Sequence, residues 1–333
     1  MKLRRLLCML LCLSLLGTCA LAADPMISSA SEQKTYSVSQ PNAIQLVRVW
    51  GSVTELGEQS LRLQNDNSQA AYSDIVLKIT DDTRILDAVT GAKKAFSDLQ
   101  KDATLDAYVS PAMTKSLPPQ SNAVLILSGI PADFGVPTYA QIDQITSRED
   151  GGVDLLMSDD VILHLQKDTK ITAYGGASVS LEDLKPGTML LSWYQVVALS
   201  EPAQATPDQI MVFPYTYDGY LSAVPGALSV NGKAVVLTDS ARPFAQDGTL
   251  MLPVRKTAEA LGCTVEWDNA GRRVLVSKGD SILYTVSLND NTASRGDGAS
   301  STALSAPPIL ENGVTFLAAE DLLVLQNVKL AAS

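Results

Sequence analysis

The stretch Asp247-Gly-Thr-Leu-Met-Leu-Pro-Val-Arg-Lys-Thr-Ala-Glu-Ala-Leu-Gly-Cys-Thr-Val-Glu-Trp-Asp268 predicts a strand, a short helix and a second strand in succession. Pro253 suits the first turn of a helix, because the N–H groups of that turn have no partner within the helix and proline lacks this group. Gly262 is expected to end the helix, because glycine readily adopts the left-handed conformation that follows a helix C-terminus. The distance between these two residues predicts a helix of about two turns.

The sequence around this stretch predicts antiparallel strands. Ser229 to Val235 indicates a hairpin with Asn231-Gly232 at its turn, the dipeptide most typical of tight hairpins. Asp268 to Gly271 predicts a turn, and the apolar residues beyond it predict strands over residues 272–277 and 281–288. We therefore expect a sheet that packs on the helix.

These residues resemble the stalk domains named for the N-terminal domain of bacterial copper amine oxidase. That family has a Pro-apolar-Arg step, a Glu-Ala-Leu-Gly helix end and a Val-x-Trp strand, all of which occur here. The resemblance implies an α+β domain over residues 228–333, with a twisted antiparallel sheet on a helix. The family-signature residues, which we expect to be structural, are Gly248, Pro253, Arg255, Glu259, Gly262, Trp267 and Gly313.

The second half of the family pattern is present in altered form. Pro307 to Leu317 parallels the Asp247 to Leu252 stretch at an offset of 65 residues. Ala318-Ala319-Glu320 stands where the family has Pro-apolar-Arg. The departure removes a second arginine from the candidate ligand residues and leaves the expected fold unchanged.

An internal repeat organises the sequence before this domain. Ile75-Val-Leu-Lys-Ile-Thr-Asp-Asp-Thr-Arg-Ile85 matches Val161-Ile-Leu-His-Leu-Gln-Lys-Asp-Thr-Lys-Ile171 at an offset of 86 residues. The pattern predicts two small antiparallel β-barrel-like repeats, over residues 44–129 and 135–214. They resemble the oligonucleotide-binding-like barrel modules of unknown function in secreted bacterial proteins. Residues 215–227, rich in Pro, Gly and Tyr, are expected to be a linker. The predicted fold class is mainly β with an α+β C-terminal domain.

Residues 1–22 have the three parts of a secretory signal peptide. Basic residues come first, then the apolar run Leu6 to Leu16, then Ala20-Leu21-Ala22 as a cleavage site. The run is too short for a bilayer, which needs about 20 residues. We expect cleavage near Ala22 and a protein that is secreted or associated with the cell wall, not integral to the membrane. Residues 23–43 are expected to be a flexible N-terminal segment.

A lipoprotein is the alternative at this terminus. Leu16-Gly-Thr-Cys19 resembles a lipobox in which Cys19 would be acylated, but Thr18 departs from the small residue that the motif prefers. Secretion without a lipid anchor is therefore the favoured prediction.

The charge of the chain argues against nucleic acid as a partner. Its formal charge is −11, and loss of Lys2, Arg4 and Arg5 with the signal peptide makes it −14. Nucleic-acid binding needs a basic surface, which this composition does not predict. Cys263 is the one cysteine that remains after cleavage, so no internal disulfide is expected.

The sequence predicts no catalytic, metal-binding or cofactor-binding site. It has one histidine, His164, whereas copper amine oxidase chemistry requires three histidine ligands and a modified tyrosine in another domain. His164 aligns with Lys78 of the first repeat, so we expect a solvent-facing position on a strand. Phosphate loops, dinucleotide-binding turns and zinc-ligand spacings do not occur. The prediction is a protein that is not an enzyme and needs no cofactor.

The function that these features favour is binding at the cell envelope. The candidate binding surface consists of Arg255 on the predicted helix and of Trp193 and Tyr194 on a strand of the second repeat. The two aromatic residues alternate on that strand, so one of them is expected to face a ligand and the other the barrel core. The partner would be a cell-wall polymer or another exported protein, and the sequence carries no signal for an oligomeric state. The alternatives are a structural spacer or secreted scaffold without a specific ligand, and a cryptic wall hydrolase.

Overall fold

The structure is a computed structural model that describes residues 38, 45–67, 70–296 and 300–331. The predicted signal peptide, Cys19 and the predicted flexible segment 23–43 lie outside the described residues, except Val38, which packs against the core of the C-terminal domain. The predicted class, mainly β with an α+β C-terminal domain, is confirmed. Within the described part of the chain, no helix has the length and hydropathy to cross a membrane.

The described residues of the first barrel form six strands: β1 (Val47–Leu56), β2 (Ser60–Gln64), β3 (Asp74–Lys78), β4 (Arg84–Asp87), β5 (Thr104–Val109) and β6 (Gln120–Ser128). The ring closes in the order β1-β2-β3-β6-β5-β1, because β3 pairs with β6 in parallel and β5 pairs with β1 antiparallel. β4 pairs with the second half of β6. Alternate residues of β1 to β3 point inward, including Val53, Leu63 and Leu77, and fill the barrel.

The second barrel contains eight strands: β7 (Thr138–Ser147), β8 (Val153–Met157), β9 (Val161–Leu165), β10 (Lys170–Ala173), β11 (Met189–Trp193), β12 (Val197–Ala198), β13 (Ala203–Ala205) and β14 (Gln209–Val212). β13 pairs with β9 in parallel, and β14 pairs with β10 in parallel and with β11 antiparallel. The short strands β13 and β14 follow each other along the chain, and together they occupy the position that β6 alone occupies in the first barrel.

The two barrels also share irregular details. A β-bulge interrupts the first hairpin between Val53 and Glu55 in one barrel and between Ile142 and Gln144 in the other. A short 3-10 turn precedes β5 and β11, and the carboxylates of Asp98 and Asp183 each accept a backbone N–H from three residues earlier, both at 2.8 Å. The same backbone solution therefore occurs twice along the chain.

A continuous apolar layer joins the two barrels. Trp193, which is 5% exposed, donates its indole N–H to the carbonyl of Ala88 at 2.7 Å. The hydroxyl of Tyr108 accepts the backbone N–H of Tyr139 at 2.9 Å. The buried residues of this layer are Leu86, Ala88, Tyr108, Leu125, Leu127, Tyr139, Met189, Leu191, Trp193, Met211 and Phe213. Burial of this area holds the barrels together as one body.

Asp87 stabilises the loop that reaches this layer. One carboxylate oxygen accepts the N–H groups of Val89 and Thr90 and the Thr90 hydroxyl, and the other pairs with Lys94 at 2.9 Å. Burial by itself would raise the pKa of Asp87. The hydrogen bonds from Lys94 and Thr90 have the larger combined effect and lower the pKa to about 2. The ionised carboxylate is therefore the form that the fold stabilises.

We expect the Asp87 contribution to stability to disappear in acid. The folded pKa of Asp87 is depressed, so its stabilisation is present above the unfolded pKa of about 3.9 and is lost as pH falls toward about 2. Urea unfolding of wild type and Asp87→Asn should differ at pH 7, and the difference should shrink as pH falls and vanish only below about pH 2. Asp82→Asn, in an exposed turn, is the matched control for loss of one charge. A difference between wild type and Asp87→Asn that is unchanged at low pH would contradict this expectation.

Among its described residues, the C-terminal domain contains thirteen strands and two α-helices. The strands are β15 (Gly219–Val224), β16 (Ala227–Val230), β17 (Lys233–Ala234), β18 (Phe244–Gln246), β19 (Thr249–Pro253), β20 (Thr264–Asp268), β21 (Arg273–Lys278), β22 (Ser281–Ser287), β23 (Thr292–Arg295), β24 (Ser301–Ala303), β25 (Ile309–Glu311), β26 (Val314–Ala318) and β27 (Val328–Leu330). The helices are α1 (Val254–Ala260) and α2 (Ala319–Leu325). Strands form three sheets, in the orders β17-β16-β15-β27, β18-β19-β26-β25 and β20-β21-β22-β23-β24.

One core joins these sheets to both helices. Val254 and Ala258 of α1 and Leu322 of α2 are buried in it, as the predicted apolar face of the first helix required. Tyr284 is fully buried at its centre, and its hydroxyl accepts a hydrogen bond from the Gln326 side-chain amide at 2.6 Å. The predicted helix and the Asn231-Gly232 hairpin are both confirmed.

A local two-fold relates the two halves of this domain. The hairpin β18–β19 followed by α1 matches the hairpin β25–β26 followed by α2. β19 and β26 pair antiparallel at the centre, with Met251 opposite Ala318 and Pro253 opposite Phe316. The equivalent residues lie 65 positions apart, which is the offset found in the sequence. The two units therefore meet back to back along one strand pair.

The predicted linker over residues 215–227 contains a strand of this domain, β15. β15 pairs with β16 antiparallel and with β27 in parallel, with Gly219 opposite Val328. Gly219, Leu221 and Ala223 alternate inward and are buried, whereas the composition of the segment suggested a spacer. The partner strand β27 lies far along the chain, so the local sequence did not reveal the pairing.

Candidate functional site

A cleft of about 590 Å³ opens on the C-terminal domain between α1, β20, the turn after β20 and the hairpin β25–β26. Its volume lies in the range of small-molecule sites in proteins. We call it the C-terminal cleft. It is lined by Thr238, Ala241, Val254, Arg255, Lys256, Val265, Glu266, Trp267, Asn269, Arg272, Val274, Leu310, Gly313, Val314 and Thr315.

Trp267 provides an exposed aromatic surface in the C-terminal cleft. The side chain lies near the end of β20 and is 37% exposed, although tryptophan is usually largely buried. Its indole N–H donates to the Asn269 side chain at 3.4 Å. Leu310 of β25, 43% exposed, also lines the cleft. Together they give the cleft an apolar surface that water contacts directly.

Arg255 connects α1 to the edge of the sheet. Its guanidinium donates to the carbonyl of Val265 at 2.5 Å and lies 3.8 Å from the carboxylate of Glu259. Half of the side chain stays exposed. The hydrogen bond satisfies a carbonyl on the open edge of β20, so Arg255 has a structural role while its guanidinium still borders the cleft.

Arg272 has an unusual backbone conformation at the rim of the cleft. Within the described residues, nine non-glycine residues have positive φ, and eight of them are Asn or Asp. The ninth is Arg272, at φ 49°. For a side chain of this type the left-handed region costs about 1 kcal/mol or more. Its guanidinium forms no ion pair with any described residue, unlike that of Arg273, which pairs with Asp268 at 2.7 Å.

The charge of the C-terminal cleft is opposite to that of the chain. The chain holds 36 acidic and 25 basic residues, yet the cleft is lined by Arg255, Lys256 and Arg272 against one acid, Glu266. Glu259 lies beside the first two, at 3.8 Å from Arg255 and 4.0 Å from Lys256. The excess of positive charge remains after this pairing, so the cleft attracts anionic ligands.

The other signature residues shape the backbone around the cleft. Gly248 and Gly313 hold positive φ in the two hairpin turns, at 81° and 75°, and Gly262 ends α1 at 79°. Pro253 ends β19 immediately before α1. The three glycines therefore occupy turn positions that favour glycine, and Gly313 also lines the cleft.

Trp193 and Tyr194, the other candidate surface residues, do not contribute to the cleft. Trp193 is buried between the barrels, because both its ring and its N–H are used in the apolar layer described above. This burial corrects its assignment to an exposed surface. Tyr194 is half-buried, its hydroxyl lies 3.0 Å from that of Thr138, and burial raises its pKa. Of the three predicted surface residues, only Arg255 lies at the C-terminal cleft.

The residues present do not fit a copper site. Both ring nitrogens of His164 have protein partners, with Nδ1 at 2.8 Å from Asp154 and Nε2 at 3.0 Å from Gln204. Within the described ranges, no three His, Cys, Asp or Glu side chains come together as metal ligands. His164 is half-buried on β9, where a solvent-facing position was expected.

Sequence reasoning missed Lys256, Arg272 and Leu310 as cleft residues. Arg272 follows Gly271, which had appeared to supply the turn conformation by itself. Leu310 comes from a hairpin more than forty residues after Trp267, and only the fold brings the two together. An arginine directly after a turn glycine was the sequence signal for Arg272.

Comparison with protein families gives one match. Residues 229–325 match the model of the copper amine oxidase N-terminal domain, which is a non-catalytic domain. The match includes both hairpin–helix units and every residue of the C-terminal cleft. The comparison with curated proteins finds no match to the chain.

Proposed function

We propose that this chain is an exported, non-catalytic binding protein that attaches to a cell-envelope polymer through the C-terminal cleft. The observation that carries the proposal is the exposed Trp267 beside three basic side chains in a domain of a non-catalytic family. Exposed aromatic residues near arginine are typical of binding sites, because they supply contact area at little entropic cost. The signal-peptide pattern of residues 1–22 supports a location outside the cell.

The barrels fit the role of a rigid support for this domain. The apolar layer around Trp193 joins the barrels, and Lys329 of β27 pairs with Asp143 of the second barrel at 2.7 Å. Tyr215 extends the contact, because its hydroxyl donates to the carbonyl of Pro186 at 3.0 Å. A rigid body that carries the cleft suits an adapter, which must hold its ligand at a fixed place.

Cosedimentation with purified cell-wall sacculi tests the proposal. The protein without residues 1–22 should be retained, and Trp267→Ala should weaken retention about tenfold or more, because aromatic anchors carry much of the energy of such contacts. Leu199→Ala removes a fully exposed apolar side chain of the second barrel and is the matched control. Thermal unfolding of each variant shows that the fold is intact.

Each outcome separates the candidate functions. Retention that Trp267→Ala leaves unchanged would move the binding site away from the cleft. Absence of retention for the wild type would favour the structural spacer, for which the continuous layer between the barrels is the supporting feature. Release of reducing ends or peptides from the sacculi would indicate a wall hydrolase.

A further inference from the structure

We infer that the C-terminal cleft binds an acidic polysaccharide whose sugar rings carry carboxylates, and that Arg272 is a ligand-binding residue. The inference rests on the proposed function and adds the chemical class of the ligand. Three independent features support it, namely the strained backbone of Arg272, the exposed ring of Trp267 and the local charge.

The backbone of Arg272 indicates a role other than folding. Asn or Asp occupies every other non-glycine position of positive φ among the described residues, because their short side chains tolerate this conformation. Arginine has no such advantage, and its free guanidinium contributes no ion pair to the domain. A residue held in an unfavourable conformation at a cleft is typical of a functional position. Here the conformation places an unpaired cation at the cleft rim.

Trp267 and Arg272 together favour a ligand that has both a ring and a negative charge. An indole face packs on the apolar face of a pyranose, and a guanidinium binds a carboxylate through two parallel hydrogen bonds. Trp267 and Arg272 flank the same tight turn and line the same cleft. A sugar acid presents the ring and the carboxylate within one residue, whereas a polyol phosphate chain has no ring for the indole. The pair therefore favours an acidic polysaccharide.

The other charges around Arg272 are consistent with this ligand. Arg255 and Lys256 lie on the α1 side of the cleft and share Glu259, while Glu266 is the one acid in the lining. Asp268, the nearest acid in the turn, is occupied by Arg273 and by the N–H groups of Ala270 and Gly271. Arg272 is consequently the basic residue that a ligand meets without displacing a protein partner.

Calorimetric titration with defined oligosaccharides tests the inference. The probes are oligogalacturonate, the same oligosaccharide with its carboxyl groups methyl-esterified, and polyglutamate. The full chain without residues 1–22 should bind oligogalacturonate at least tenfold more tightly than the ester or polyglutamate. Arg272→Asn should reduce that affinity at least tenfold, and Arg272→Lys should keep part of it.

Stability measurements distinguish binding from a structural role. Because asparagine suits the left-handed backbone, Arg272→Asn should unfold at the same temperature as the wild type or higher. Lys233→Asn, at the exposed start of β17 and outside the cleft, changes the charge equally and should leave binding unchanged. A lower unfolding temperature with unaltered binding would overturn the role of Arg272.

Failure of the ligand class is separable from failure of the proposed function. Retention on sacculi together with equal affinity for oligogalacturonate and its ester would keep the proposed function and overturn the acidic ligand. Preference for polyglutamate would replace the polysaccharide by an acidic peptide. Tight binding of oligogalacturonate without retention on sacculi would support the ligand class and contradict attachment to the wall.

Discussion

Replacing Trp193 by alanine is expected to lower the free energy of unfolding by about 3–5 kcal/mol, as is usual for a buried tryptophan. The substitution removes the largest ring of the layer between the barrels and leaves the carbonyl of Ala88 without its donor. Gly91 of the neighbouring loop approaches the ring so closely that a Cβ there would lie 3.2 Å from it. The ring is therefore in close contact with this loop, and its removal leaves a cavity there. Urea unfolding followed by circular dichroism measures the loss.

Two further variants locate the origin of this loss. Trp193→Phe keeps most of the ring but removes the hydrogen bond, so it should cost about 1–3 kcal/mol. Trp50→Ala removes a tryptophan that is 38% exposed and should cost much less. If Trp193→Ala cost no more than Trp50→Ala, the barrels would not depend on this layer, and the rigid support assumed for the cleft would be lost.

Asp143→Ala is expected to destabilise the protein by about 3 kcal/mol, which is more than Lys329→Met should cost. The two side chains form an ion pair at 2.7 Å, but they differ in exposure: Lys329 is 3% exposed and Asp143 is 31% exposed. Removal of the aspartate leaves a buried ammonium without a partner. Removal of the lysine leaves a carboxylate that water still reaches.

A double-mutant cycle measures the coupling between these two residues. The variant with both changes should be more stable than Asp143→Ala alone, because no unpaired charge is left in the interior. Asp239→Ala breaks an exposed pair with Arg242 and should cost about 1 kcal/mol or less. Equal losses for Asp143→Ala and Lys329→Met would show that the burial of Lys329 does not determine the cost.

Local signals in the sequence predicted local structure well. The Asn231-Gly232 turn and the helix that ends at Gly262 are present, because a left-handed turn and an apolar helical face depend on neighbouring residues alone. The match of residues 229–325 to the family bears out the C-terminal resemblance. The domain limits and the envelope function stay predictions.

Features that depend on distant partners were not predicted. The sequence around β15 predicts a linker, because the parallel partner strand β27 lies about a hundred residues away. Alternation on a strand predicted that either Trp193 or Tyr194 would face solvent, but a strand pattern does not show that a second barrel covers that side. The C-terminal cleft was missed as a unit for the same reason, since Trp267 and Leu310 meet only in the folded domain.

The local two-fold of the C-terminal domain repeats the backbone but reverses the charge. Glu320 and Asp321 open α2 where Arg255 and Lys256 open α1, 65 positions earlier. An anionic chain therefore meets one attractive and one repulsive version of the same hairpin–helix surface. The duplicated domain consequently has a single functional side, and we expect one polymer strand to be bound per molecule.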